Sequence, residues 1–389
     1  MNNSNVKLKF VCLSVILFIV SQIYLMSVSQ ELKKSLKSIY QYGKIEFIPE
    51  LRITRDTFPE HVYVRFISGI AISDNNIYIS DSHFGSIRIL NNSGEFKKSF
   101  GQIGKGPGDL FLPRHMIVAS NKLFVWEVGN KRFSIFTTDG KFINHTSLKN
   151  KGIIKDMKML ENGRIILERE LSGKIKKEFV QFFVLELYSK ELDFIKLLYK
   201  KRILRIKYLS KPYRNALIQP FQPDVSWDIM PGNKIVIGFS GNYQVEIHDI
   251  TTGKVQAFTR SYNPVKVTEA DKKAFFEGMI IGGTNRKLEK GANKFIRDNT
   301  VFPDYKPAFK KIITDSEGNI LVFLYKNSQN NKYKFFDAFD SKGNYINNVK
   351  IIPEEGIYID KIFPGKENVF WTVVEVDDFD LGVVKYSVR

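Results

Sequence analysis

Five histidines, His61, His83, His115, His145 and His248, are the first residues to test for chemistry, because imidazole serves both as a general base and as a metal ligand. They are dispersed along the 389 residues without an H-x-x-x-H or H-E-x-x-H spacing, so no helix offers the paired ligands of a zinc hydrolase. The single cysteine, Cys12, excludes an internal disulfide and a thiolate-rich zinc or iron–sulfur site. Serine catalysis has no G-x-S-x-G elbow to work from. The Gly-rich run Gly104-Lys105-Gly106-Pro107-Gly108-Asp109 lacks the Lys-Ser/Thr ending of a phosphate loop, and no helix pattern follows it. What is left is carboxylate and aromatic chemistry. Glu127, Asp156, Asp228, Asp315 and Asp360 fall on or near strand-like segments, which leaves a carboxylate-held divalent cation open while no other cofactor is indicated. Trp126, Trp227 and Trp371 suit either packing between sheets or stacking against a sugar or peptide.

Residues so far apart can act together only if the fold gathers them. The composition, 43% hydrophobic and 26% charged with 32 Phe and 17 Tyr, excludes a disordered chain and a multi-span membrane protein, and favours strands. From Lys44 onward the apolar pattern has a period of two. It is organised in units of roughly 45 residues, each of four short strands joined by turns rich in Gly, Asn and Asp. The unit from Ile67 places Gly94-Glu95-Phe96 where the next unit places Gly140-Lys141-Phe142. Weaker copies continue to the end of the chain. The last holds only three strands, and Ile45–Ile53 is a spare strand at the front. The expected fold is therefore all-β, a six-bladed β-propeller over residues 44–389 whose first strand completes the last blade. A helical pattern over residues 268–299, opened by Thr268 and Asp271, predicts a small insertion ahead of the fifth blade.

The segment Gly104–Pro113, followed by HMIVASNKLFVWEVGNKRFSIFTTDGKF, resembles the NHL-type repeat. More closely, the chain is similar to the six-bladed propeller proteins exported by many bacteria, sharply over Ile67–Leu148 and by rhythm elsewhere. The resemblance implies that Asp81 with Arg88, and Glu127 with Arg132, brace their blades. It also implies that inner strands line an axial channel, where related peptide-amidating lyases bind zinc through histidines of several blades. Here His115 has no counterpart at the matching position of a later blade. The candidates for ligand contact near the channel are Arg65, Arg114, His115, Trp227 and Asp228. The function expected is binding or scaffolding of a protein, peptide or glycan at the cell envelope. A metal-assisted hydrolase or lyase sited in the channel is the alternative.

The address comes from the N-terminus. An apolar run from Phe10 to Val28 follows Lys7 and Lys9 with no acidic residue before it, the pattern of an export signal. Residues 1–29 read either as a cleaved signal peptide ending at Ser27-Val28-Ser29 or as a transmembrane anchor, which needs about 20 apolar residues. Both place the rest outside the cytoplasm, in the envelope or beyond. Residues 30–43 read as a stalk, with Leu32, Leu36 and Ile39 on one side of a short helix. Loss of residues 1–29 lowers the formal charge by two, from +18 to +16. The basic residues are scattered through the sequence, and export argues against a nucleic-acid partner.

Overall fold

The structure is a computed structural model. It describes residues 39–389 apart from 63, 65, 149–151, 176–177, 207–217, 282–295, 326–333, 353–361, 366–368, 378–379 and 389. The expectations for residues 1–29, for most of the stalk, and for Arg65 and Asp360 therefore lie outside the described residues. No helix among those described is long and apolar enough to cross a membrane.

Strand β1 (Lys44–Ile53) stands apart from the repeat. The next four, β2 (Ile67–Ile72), β3 (Asn76–Asp81), β4 (Ser86–Asn91) and β5 (Phe96–Phe100), form one antiparallel sheet in chain order. A second sheet holds β6 (Pro113–Ala119), β7 (Lys122–Glu127), β8 (Arg132–Thr137) and β9 (Phe142–Thr146). The third holds β10 (Ile153–Met159), β11 (Ile165–Ile175), β12 (Glu178–Tyr188) and β13 (Phe194–Ile206). In the fourth are β14 (Val225–Met230), β15 (Lys234–Phe239), β16 (Gln244–Asp249) and β17 (Val255–Thr259). The pattern of burial explains the order. The middle strands are covered on both faces, as in Ile77–Asp81 and Ile87–Leu90, whereas the fourth strand, FKKSF in the first sheet, carries lysines at an open edge.

The remaining strands make one sheet of eight. Strands β18 (Lys311–Thr314), β19 (Ile320–Phe323), β20 (Lys334–Phe339) and β21 (Tyr345–Ile352) are antiparallel in sequence order. So are β22 (Phe363–Pro364), β23 (Val369–Asp377) and β24 (Asp380–Val388), and β1 adds to β24 with Phe47 opposite Val388 and Ile53 opposite Val383. A three-residue parallel contact, Lys44–Glu46 beside Lys350–Ile352, welds the two halves together. Ile45–Ile53 thus pairs where the sequence predicted. Among the described residues, six apolar clusters, each shared by neighbouring four-strand units, run round the assembly. The sixth joins Ile53, Trp371, Val373 and Val383 to Ile67, Ile77, Ile79 and Leu90, so the array closes on itself as an all-β propeller.

A recurring contact helps to fix the spacing. Gly94, Gly140 and Gly343, all at positive φ in the turn before a fourth strand, lie against Leu51, Phe100 and Phe258 of the preceding unit's outer strand. A Cβ would come within 2.7 Å of Leu51, 2.6 Å of Phe100 and 2.6 Å of Phe258. The helical expectation holds in part. Helix α1 (Glu269–Ile281) opens with Thr268 and Asp271 capping one another, Thr268 N–H donating to Asp271 Oδ2 and Asp271 N–H to Thr268 Oγ1. The segment beyond Ile281 reappears as a helical turn at 296–298. The third unit departs from its sequence reading: strands of 11, 11 and 13 residues replace the short ones expected, so this sheet extends beyond its neighbours.

Candidate functional site

The inner strands β2, β6 and β10 share a feature that alternation alone does not reveal. Each pairs with its neighbour through a register shift at the same place, between Ile67 and Gly69, Pro113 and His115, and Ile154 and Asp156. These bulges re-aim the side chains around them. They also let blades approach closely: Ser68 Oγ donates to the Pro113 carbonyl at 2.6 Å, and a Cβ on Gly69 would lie 1.8 Å from the Arg114 carbonyl oxygen. Arg114 and Lys155 are the extra residues of the second and third bulges, and both are exposed.

Beside them the third and fourth blades bring several charges together. Lys158 Nζ donates to Asp228 Oδ1 at 2.7 Å and lies 3.8 Å from Asp156 Oδ2 and 5.0 Å from the centre of the Trp227 ring. Trp227 Nε1 donates to Glu168 Oε2 at 2.7 Å, and Asp156 sits directly across the strand pair from Glu168. Lys155 Nζ is 3.0 Å from Glu170 Oε2. Burial penalises the Lys158 ammonium, but Asp228 and Asp156 outweigh that penalty and its pKa ends above the ordinary lysine value. Burial, reinforced by the Asp156 charge, pushes the Glu168 carboxyl up to about 7. The His115 imidazole is pushed down to about 4 by burial, against the pull of Asp156, and so is neutral at pH 7.

The residues predicted from sequence meet different fates. Asp228 is buried and spent: Oδ1 takes the Lys158 ammonium and the Ile229 N–H, and Oδ2 takes the Thr314 N–H at 2.9 Å. It braces the third, fourth and fifth units instead of facing a ligand. Trp227, with 4% exposure, is wall and not a stacking platform, and Trp126 and Trp371 are likewise buried between sheets. Arg114 and His115 do lie by the cluster, since both Arg114 and Asp156 act on the His115 ring. Glu127 is a brace. It accepts from Arg132 Nε at 2.8 Å, Phe111 N–H at 2.8 Å, Asn130 and Ser134, while Arg132 reaches the carbonyls of Lys105, Gly106 and Asp109 and holds the Gly-rich loop. Asp81 and Arg88, 3.8 Å apart, repeat the pair in the first unit. Asp315 closes its own turn and accepts the Tyr40 hydroxyl at 3.0 Å. Lys158 and Glu168 escaped sequence reasoning. Their signal was a charge set inside the apolar runs KDMKML and RIILER.

Three groups in the cluster retain capacity. His115 and Glu168 Oε1 have no hydrogen-bond partner among the described residues, and the Asp156 side chain is 42% exposed. Among the described residues no three His, Cys, Asp or Glu side chains are placed to hold a metal ion together.

Comparison with known proteins bears on the fold. Residues 26–153 match the family model DUF5128, described as a 6-bladed beta-propeller, a span that includes the segment of sharpest sequence resemblance. No curated protein matches the sequence. Among solved structures, an exported protein from Bacteroides fragilis is 15% identical with a TM-score of 0.52, covering 91% of this chain and 96% of that one. A member of the DUF4221 family from Bacteroides vulgatus is 13% identical with a TM-score of 0.48, covering 89% and 99%. The virginiamycin B lyase of Staphylococcus aureus is 10% identical with a TM-score of 0.42, covering 87% and 99%. At these identities the Bacteroides fragilis protein supports a shared fold over 91% of this chain, and the fold is where the comparisons end.

Proposed function

We propose that this chain is an exported six-bladed propeller, held at the cell envelope through its N-terminal segment, that binds a protein, peptide or glycan at the inner wall of its second, third and fourth blades. The observation that carries the reading is the set of polar groups left with hydrogen-bonding capacity there, His115, Asp156 and Glu168, beside three aligned bulges. Apolar residues at these positions would pack more cheaply. The six-blade count is supported by six shared apolar clusters and by the family description over residues 26–153. Export is supported by the basic and apolar N-terminal pattern and by the Bacteroides fragilis protein, itself described as exported.

The test is a titration of the purified full chain with a panel of peptides and cell-wall oligosaccharides, read by Trp227 emission against a Trp227→Phe control. Saturable binding that weakens in His115→Ala and Asp156→Asn is the expected result. A stoichiometric divalent ion in the purified protein, together with turnover of an ester or lactone, would replace this reading with an enzymatic one.

A further inference from the structure

Positive charge is concentrated in one part of the chain. Residues 149–214 hold 18 Lys and Arg against 8 Asp and Glu, which is +10 of the formal +18. Strand β13 has Lys196, Lys200, Lys201, Arg202 and Arg205 and no acidic residue. The fourth strands of the first, second, fourth and fifth units have two, none, none and one lysine, and no arginine. β13 pairs only with β12 and forms the outer edge of its sheet. Among the described residues Lys196, Lys200 and Lys201 meet no carboxylate. Lys200 Nζ stands instead 4.5 Å from the centre of the Phe182 ring, and Lys201 Nζ 3.8 Å from that of Phe239.

A second observation is apolar. The same strand exposes Phe194, Ile195 and Leu197, at 51%, 42% and 50%, and Lys196, Lys200 and Arg202 are exposed among and beside them. Charges at a sheet edge guard it against stray pairing, but a guard gains nothing from bare aromatic and aliphatic side chains. Another strand is a poor occupant. Three register shifts leave Ile195, Leu198 and Ile203 as extra residues in β13, and such bulges spoil an edge as a template. A second copy would also set lysine against lysine. A soluble polyanion would satisfy the ammoniums and leave the three apolar side chains in water. A bilayer with anionic headgroups serves both sets, with phosphates for the ammoniums and the headgroup–acyl boundary for Phe194, Ile195 and Leu197. Glu191 and Asp193 lie in the turn ahead of the strand, so the contact begins at Phe194.

We infer that β13, from Phe194 to Arg202, is the edge by which the propeller rests on an anionic lipid surface. The contact is distinct from the inner wall of the ring, and neither depends on the other. Beside the proposed attachment through the N-terminal segment it is a second hold, one that responds to lipid charge and to salt. Two such holds reinforce each other, because the first raises the effective concentration of lipid seen by the second.

The experiment places a reporter in the contact. The full chain carrying Leu197→Trp is titrated with vesicles of brominated phosphatidylcholine, alone or mixed in equal parts with phosphatidylglycerol, and quenching of its emission is read. Trp126, Trp227 and Trp371 are buried between sheets, so the parent chain supplies the background. The reporter senses acyl chains at β13 whether or not residues 1–29 hold the protein to the same vesicle. Quenching should be confined to the anionic vesicles and should weaken as salt is added. Adding Lys196→Gln, Lys200→Gln and Lys201→Gln should raise the lipid concentration for half quenching about tenfold or more. Lys196 and Lys200 are exposed, so that pair alone keeps the test alive if the Lys201 change disturbs the packing on Phe239. Equal quenching by both kinds of vesicle, none by either, or an unchanged midpoint in the lysine variants would overturn the inference. So would a salt-sensitive shift of the reporter with dextran sulfate and no quenching by anionic vesicles, which would assign β13 to a soluble polyanion.

Discussion

Glu168 and His115 pull the stability of the folded chain in opposite directions as pH changes. Glu168, raised from 4.5 to about 7, holds a proton in the folded state that the unfolded chain has released, so its contribution is complete below pH 4.5 and lost as pH rises through 7. His115, lowered from 6.5 to about 4, contributes fully above pH 6.5 and loses that contribution as pH falls through 4. Between pH 4.5 and 6.5 the two effects offset. Glu168→Gln removes the first, so the stability of that variant relative to the parent should climb by roughly 2–3 kcal/mol across the window, measured by urea denaturation at a series of pH values. A parallel pair of curves would show that Glu168 titrates near its ordinary value. Glu127 plays a purely structural part: its buried carboxylate meets four donors. Glu127→Ala should cost about 3–5 kcal/mol and release the Gly-rich loop to limited proteolysis, since Arg132 is left buried without its counter-charge.

At the scale of strands, the sequence made plain what periodicity encodes and hid what register encodes. Ile45–Ile53 was recognisable as the missing strand because the last unit was one short, and the turn glycines kept their phase between Gly94 and Gly140. On the sequence alone Trp227 and Asp228 are candidates for the channel. Whether they face the axis or the neighbouring blade depends on packing between sheets far apart in sequence, and both are buried against neighbouring blades, Trp227 on Glu168 and Asp228 on Lys158 and Thr314. The bulges were invisible for a similar reason: an extra residue in a strand of six or seven barely disturbs alternation. Likewise the basic residues read as scattered, yet β13 gathers Lys196, Lys200, Lys201 and Arg202 on one outer edge, a guard against unwanted strand pairing. The close approach of β2 to β6 yields a prediction at this scale. Gly69→Ala would drive a Cβ into the Arg114 carbonyl, and the strands must part. A loss of about 3 kcal/mol or more is expected in thermal or urea melts, with altered His115 imidazole NMR shifts because the adjoining bulge moves too.

For the molecule as a whole, closure is the property on which the rest depends. Each of the six apolar clusters joins two units, so removing one junction leaves two sheet faces exposed and, at β24, a free edge. Ile53→Ala, at a site 1% exposed within the closing cluster, should cost about 2–5 kcal/mol by urea denaturation. Deleting residues 44–53 should go further and produce concentration-dependent self-association in sedimentation velocity, because β24 then offers its edge to another copy. A monodisperse deletion variant would mean that the ring does not rely on β1.

The entry point of the chain has a mechanical consequence. Tyr40, fully enclosed in the cluster shared by the fifth and sixth units, meets Phe336 edge to face and hands its hydroxyl to Asp315, while the Gly43 carbonyl takes the Lys350 N–H. Tension arriving through the residues ahead of Tyr40 is thus delivered to the fifth blade before it reaches the seam between β1 and β24. Tyr40 works as a strain relief on a cable: a pull on the chain ahead of it loads a finished sheet, and the join that completes the ring is spared.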